Sequence, residues 1–344
     1  MPARRWGRQL GIDLMFKDEG ANPSGSFKDR GVAVMTSGLP EQVNTVVMMS
    51  SGNAAGSVAL YAALAGVRAV VFMYQGGTRE KTFMTQAYGA TVVAVNAERE
   101  AEVLHLAEQA SAELGWLLMN TVVDGNPLIL EGYKTVAYEL TLELGDIDAV
   151  LVPVGSGTLL SGLWKGFREM NALGLASRMP RLVGVQPTGS CPIVNAFDHG
   201  LCSVPRLESP PKTIAAALTL DDPKESGALA LRAVRESDGA MLAVDDQSIL
   251  AAWHRLAREG IGLVEPAGAA GAAAIEQALE TGALRLGDRV VCVLTGHGLK
   301  DIAPMERLLS AVPVIEPCLS AFYQACAGAI ERGQEDATGV ANDL

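Results

Sequence analysis

Positive charge is in short supply. Over 344 residues, 27 Lys and Arg stand against 39 Asp and Glu, a formal net charge of -12. A nucleic-acid partner needs a basic face to neutralise phosphates, so this balance argues against one. Cysteine is sparse too. Cys191, Cys202, Cys292, Cys318 and Cys326 stand at no zinc-ligand spacing, and an odd count in a chain of this length fits a reducing compartment. The four histidines form no HExxH pattern, and no metal site is expected. Long apolar runs are missing as well. The most apolar stretch, Val58 to Phe72, is broken by Arg68 and reads as a helix followed by a strand rather than a membrane span. Met1 to Leu10 is basic without an apolar core, which is not the pattern of a signal peptide. A soluble, cytoplasmic protein is expected, with no membrane partner.

Apolar residues are plentiful, at 49%, and the length suggests two or three domains with sizeable cores. Glycine is abundant while aromatics reach only 5%, a balance that suits an α/β enzyme with many close backbone–ligand approaches. The pivotal stretch is Asn22-Pro23-Ser24-Gly25-Ser26-Phe27-Lys28-Asp29-Arg30-Gly31, which follows the strand-like Ile12–Phe16. Asn-Pro and Ser-Gly are turn chemistry, and Ser24 or Ser26 can cap the helix that follows. Lys28 then lies just inside a helix N-terminus, where the dipole disfavours an ammonium. A lysine made less basic is what Schiff-base chemistry with a carbonyl requires. Taken alone, Lys28 reads better as a solvated first-turn residue, and the other stretches decide the matter.

Elsewhere strands alternate with helices. Strands are predicted at 44–49, 69–74, 91–95, 116–119, 149–154, 182–186, 262–265 and 289–294. Helices are predicted at 28–37, 58–65, 80–88, 98–114, 130–144, 158–168, 225–236, 248–259 and 267–279. The first residues form a polar lead, and 188–222 is a long connection holding a short helix. The alternation implies an open, mainly parallel α/β architecture, with ligands at the carboxyl ends of the strands. Three polar turns fall there. Gly155-Ser156-Gly157-Thr158-Leu159 can nest one phosphate with backbone N–H groups and hydroxyls, although it is neither GxGxxG nor a Walker A. Ser50-Ser51-Gly52-Asn53-Ala54 can offer amides and the Asn53 side chain, or simply a helix cap. Thr295-Gly296-His297-Gly298-Leu299-Lys300-Asp301 closes the last strand. In it His297 and Lys300 are candidate substrate contacts, although a lone histidine in a glycine turn reads more readily as a spacer or supporting residue than as a catalyst.

Together with Val264-Glu265-Pro266-Ala267, these motifs resemble, in content and order, those of the fold-type II pyridoxal-phosphate enzymes. Within that group they are most similar to threonine synthases, over about residues 10 to 310. The resemblance implies a set of roles. Lys28 would bind pyridoxal 5'-phosphate through a Schiff base and move substrate protons. Asn53 would meet the ring 3′-oxygen, and Thr295 the ring nitrogen. Gly155, Ser156, Gly157, Thr158 and Leu159 would hold the cofactor phosphate, and Glu265 would support that site. Ser50, Ser51, Gly52, Asn53 and Ala54 would take the substrate carboxylate. It also implies two mainly parallel-sheet domains with the site in their cleft: a large one, 1–36 and 138–330, and a smaller mobile one, 37–137. A disordered tail, 331–344, and a homodimer complete the expectation.

Two departures leave the substrate open. Where threonine synthases carry an arginine associated with the substrate phosphate, Asn126-Pro127-Leu128-Ile129-Leu130-Glu131-Gly132-Tyr133-Lys134-Thr135 has Ile129. The glycine loop 155–162 resembles that of serine/threonine dehydratases. The leader with a Thr-Pro-Leu segment that usually precedes the first strand is not found, which suggests a truncated start or a remodelled rim. Conversion of O-phosphohomoserine to threonine is therefore expected first. β-Elimination or replacement on serine, threonine or an O-activated serine stands as the alternative, as does a γ-activated amino acid without phosphate. A catalytically silent ligand-binding homologue would have no use for Lys28 in an intact motif.

Overall fold

The computed structural model describes residues 1–74, 78–97, 100–306 and 308–327. The tail expected to be disordered, 331–344, lies outside the described residues. Nine strands are present among them: β1 (Asp13–Asp18), β2 (Thr45–Met49), β3 (Arg68–Tyr74), β4 (Thr91–Val95), β5 (Leu117–Leu118), β6 (Ala149–Pro153), β7 (Arg181–Pro187), β8 (Ala240–Val244) and β9 (Arg289–Leu294). They form two sheets, one ordered β1-β9-β6-β7-β8 and the other β4-β3-β2-β5. Every ladder is parallel. In the larger sheet β6 is buried throughout and β9 nearly so, and both read as continuous apolar runs, as strands covered on both faces do. β1, at the edge, buries Leu14 and Phe16 in alternation. Residues 1–304 form one compact unit, which holds both sheets. Residues 305–344 form another, whose described part includes a helical segment over 319–327.

The helix carrying Lys28 runs Lys28–Ser37, and its seat is set by close approach. A Cβ on Gly31 would stand 2.5 Å from Ile129 Cγ1, and one on Gly132 would stand 2.1 Å from the Arg30 carbonyl oxygen. The Lys28–Ser37 and Ile129–Tyr133 helices therefore touch backbone to backbone, which only glycines permit. Asp29 is buried and accepts hydrogen bonds from Ser24 N, Ser24 Oγ and Ser57 Oγ at 2.6, 2.5 and 2.5 Å. Arg30 forks into two carboxylates, those of Glu19 and Glu139. Ser24 thus serves Asp29 rather than capping the helix, while Lys28 N donates to Ser26 Oγ at 3.3 Å.

The Arg30 hydrogen bonds, joined by the Lys17 ammonium, hold the Glu139 carboxyl down at about 2. The sign follows directly. A depressed folded-state value contributes stability above the ordinary carboxylate range, and that contribution is lost as pH falls toward about 2. Acid unfolding of wild type is accordingly expected to weaken in Glu139→Gln. Equal acid midpoints for the two proteins would contradict this.

Several elements differ from the sequence reading. The helix expected from Val58 begins at Asn53, because the small residues Ala54 to Ser57 are buried helix rather than turn. Residues 130–144 form two helices parted at Lys134, and the 267–279 helix is likewise parted at Ala274. The strand expected at 262–265 is absent among the described residues: Val264 makes one antiparallel bridge to His297, and Pro266 opens a helix. The polar lead holds a helix, Arg4–Leu10, anchored by buried Trp6. β8 escapes the sequence reading, being only five apolar residues long and set between two strongly amphipathic helices.

Candidate active site

Five carboxyl-end turns converge on a cavity of about 260 Å³. Its lining includes Lys28, the 50–54 turn, the 155–159 turn, Glu265 and Thr295. Of the residues singled out in the sequence, His297 and Lys300 stand off this lining. Lys300 is buried and donates to the Ser24 carbonyl at 2.7 Å, and His297 Nδ1 accepts from Leu299 N at 3.2 Å. In this geometry they brace the turn behind the lysine and make no contact with the cavity. Ile129, too, lies away from it, fully buried against Gly31.

Lys28 is the first residue of its helix, so its ammonium emerges where two turns meet. Nζ lies 4.9 Å from the Phe27 ring centroid and 5.8 Å from that of Tyr133, and donates to Thr121 Oγ1 at 3.5 Å. No carboxylate pairs with it among the described residues. Desolvation lowers its pKa to about 8. The helix dipole acts in the same direction, but burial is the cause that dominates.

Across the cavity, the helix Thr158–Ala172 starts without a side-chain cap. Gly157 has φ +94°, and a Cβ there would meet Ala230 Cβ at 2.4 Å. Ser156 Oγ and Thr158 Oγ1 are 2.9 Å apart. A left-handed glycine, an uncapped helix start and two hydroxyls make an anion cradle.

Asn53 lines the same cavity. Its Nδ2 donates to Glu265 Oε1 at 2.5 Å, while its buried Oδ1 has no partner. Glu265 is only 1% exposed and faces Lys81 Nζ at 3.2 Å. Lys81, itself buried, escapes the sequence reading because a lysine on a mixed helix resembles a solvated one. Gly296 explains itself here as well: a Cβ on it would lie 2.2 Å from Glu265 Oε1. Gly296→Ala is expected to displace that carboxylate and weaken hold on any ligand touching Asn53 by roughly tenfold, the cost of one disturbed buried hydrogen bond. Titration of the binding affinity checks this.

A more open depression of about 450 Å³ lies between the Thr158–Ala172 and Lys224–Glu236 helices. Its Lys165 and Arg232 are paired with Glu169 and Glu236, so it presents no comparable unpaired cation.

The family of pyridoxal-phosphate dependent enzymes matches residues 1–296. The chain belongs to that family. Its relatives include the threonine synthase of Methanosarcina acetivorans, 36% identical over 94% of this chain and 80% of that protein. The threonine synthase of Methanocaldococcus jannaschii is 38% identical over 86% and 72%. Among solved structures, the threonine deaminase of T.th. superposes with a TM-score of 0.73 at 29% identity, covering 91% of this chain and 93% of its own. Maize serine racemase shares the fold, with a TM-score of 0.76 at 24% identity over 97% and 92%.

This pyridoxal-phosphate enzyme is of the elimination and replacement kind and is threonine-synthase-like in sequence. Its cavity fits the cofactor on its own geometry. The cradle at 155–159 suits one phosphate, the unpartnered Asn53 Oδ1 is a polar group that a ring substituent could meet, and Lys28 could supply the amine. The two-sheet α/β architecture is that of fold-type II enzymes. Among the described residues, no helix is long and apolar enough to cross a membrane.

Proposed function

We propose that the chain is a threonine synthase, which converts O-phospho-L-homoserine and water into L-threonine and phosphate. The observation that carries this reading is the likeness to threonine synthases over most of the chain, at 36–38% identity in the archaeal relatives above. When bound, pyridoxal phosphate supplies an electron sink for charge developing beside the substrate amine. Lys28 removes the Cα and Cβ protons. Phosphate leaves Cγ with its C–O bonding pair, and a proton is delivered to Cγ to make the methyl group. The hydroxyl of water adds at Cβ and Cα is reprotonated, the second proton of water leaving with phosphate. The turn 50–54, at the start of the Asn53–Leu64 helix, orients the substrate carboxylate with backbone N–H groups. The 37–137 segment, which carries the β4-β3-β2-β5 sheet, closes over the substrate against the 1–36 and 138–330 segments and excludes water.

A second reading has its own observation. Lys28 is the only cation among the described residues that line the cavity, and Ile129 is packed away from it. A substrate phosphate in addition to the cofactor's would find no charged fork, a contact worth about 1.5–3 kcal/mol. This favours β-elimination or replacement on serine, threonine or an O-activated serine, or a γ-activated substrate without phosphate. One assay separates them. Stoichiometric phosphate and threonine from O-phospho-L-homoserine supports the first. No turnover of that substrate, with keto-acid release from serine or threonine, sinks it in favour of the second.

A further inference from the structure

We propose that Lys81 is a positioning residue of the cofactor pocket: its ammonium pairs with the Glu265 carboxyl, and the carboxyl so held fixes the Asn53 amide beside the cofactor. The inference rests on the cofactor family and not on the substrate, so the fate of the threonine synthase assay leaves it untouched.

The geometry is a three-residue chain between elements far apart in sequence. Lys81, on the Arg79–Ala87 helix, places Nζ 3.2 Å from Glu265 Oε2 and 4.0 Å from Asp301 Oδ2. Glu265 passes its other oxygen to Asn53 Nδ2 at 2.5 Å. All three side chains are buried. A carboxyl with so little solvent goes neutral unless a charge opposes it, because desolvation penalises only the ionised form. A neutral carboxyl carries a proton of its own to donate. It would then satisfy the unpartnered Asn53 Oδ1, and the amide could turn over and present its opposite face to the cavity. The charge on Glu265 therefore decides which amide atom a bound ring meets.

Other charges nearby do not replace Lys81. Lys300 is spent on the Ser24 carbonyl and faces Asp29 as well as Glu265. Asp301, 4.0 Å from Lys81, has its pKa raised by burial and by the neighbouring Glu265 and Glu80, and offers no positive charge. Lys28 lines the same cavity but is turned to Thr121, and His297 is turned to Leu299. The Arg79–Ala87 helix is further tied to this corner by Thr78 Oγ1, which donates to the Lys300 carbonyl at 3.1 Å. The seat of that helix and the orientation of Asn53 are thus linked through one ion pair.

The test is a pH titration of the visible absorption of the bound cofactor in the holoenzyme. Lys81→Met should introduce a spectral transition that wild type lacks, as Glu265 begins to titrate, and should weaken cofactor retention about tenfold. Lys81→Arg should behave as wild type. The pair Lys81→Met with Glu265→Gln should lose the added transition, since the carboxyl hydrogen-bonded to Asn53 is gone, and should fold because a neutral pair replaces the Lys81–Glu265 ion pair. A purely structural lysine would lower stability and leave the titration unchanged. A Lys81→Met spectrum that titrates as wild type overturns the proposal, as does an added transition that persists in the double variant. Should Lys81→Met fail to fold, Glu265→Gln decides, because it mimics the neutral carboxyl. About tenfold weaker retention than in Lys81→Arg supports the proposal, and retention equal to wild type overturns it.

Discussion

Lys28→Ala is expected to give a folded protein that binds pyridoxal phosphate without a covalent link and turns over at least about 1000-fold more slowly. Two separate losses combine. Among the described residues that line the cavity its amine alone can form the link, and in the proposed reaction it would be the base that moves substrate protons, a role usually worth about 100- to 10,000-fold. Its replacement costs little in packing, since the side chain lines the cavity and makes one long hydrogen bond, to Thr121. Borohydride reduction followed by intact-mass measurement reads the link directly: wild type gains the mass of the cofactor at Lys28, and the variant does not. With the wild-type apoenzyme, covalent loading should accelerate as pH rises and level off above about 8, where desolvation has placed the pKa of Lys28. That lowering makes the free amine at neutral pH roughly 300-fold more abundant than for an unperturbed lysine. A loading rate still climbing steeply well above that value would contradict the assigned environment, and turnover surviving in the alanine variant would contradict the role.

Much of this site was legible because turns at strand ends are local. The residues that make the Gly155–Leu159 cradle are contiguous, and so are those of the 50–54 turn, so hydrogen-bonding capacity could be read from short runs. The parallel alternation of strands and helices was equally plain. What escaped is carried by pairs distant in sequence. Lys81 meets Glu265 across more than half the chain, and nothing in the composition of its helix marks it as buried. His297 and Lys300 stand out for their chemistry as residue types, whereas the fold spends both on backbone groups behind the lysine. Ile129 stands out for the arginine it replaces, yet its side chain fills the space above Gly31. The helix breaks at Lys134 and Ala274 were hidden because neither residue is a breaker. Tertiary seating, not propensity, parts those helices.

Arg30→Met is expected to cost about 3–5 kcal/mol of unfolding free energy, the largest stability effect of any single change considered, because it strands a buried carboxylate. Arg30 Nε and Nη2 donate to Glu19 at 2.6 and 2.8 Å, while Nη1 and Nη2 donate to Glu139 at 2.6 and 2.7 Å. Glu139 is partly exposed and keeps Lys17 as a partner, so its share is softened by solvent. Glu19 is fully buried and, among the described side chains, retains only the Asn22 amide at 2.9 Å, so its loss dominates. The clamp joins the end of β1, the Lys28–Ser37 helix and the Thr135–Leu144 helix, whose Thr135 hydroxyl accepts another Arg30 hydrogen bond at 2.9 Å. Arg30→Lys should recover only part of the loss, because a point-like ammonium cannot serve two planar carboxylates at once. Arg30→Met combined with Glu19→Leu should recover more, since it removes the stranded charge along with its partner. Urea titrations of the three variants check the order, and a double variant no more stable than Arg30→Met alone would show that the cost lies in packing rather than charge. The three consecutive charged residues Lys28, Asp29 and Arg30 thus divide their work. Asp29 and Arg30 tie the helix to its surroundings on either side, and the amine of Lys28 is left without a carboxylate partner at the cavity. A weakened Arg30 clamp should for that reason reach the chemistry, lowering turnover in proportion to how far the first helical turn is allowed to shift.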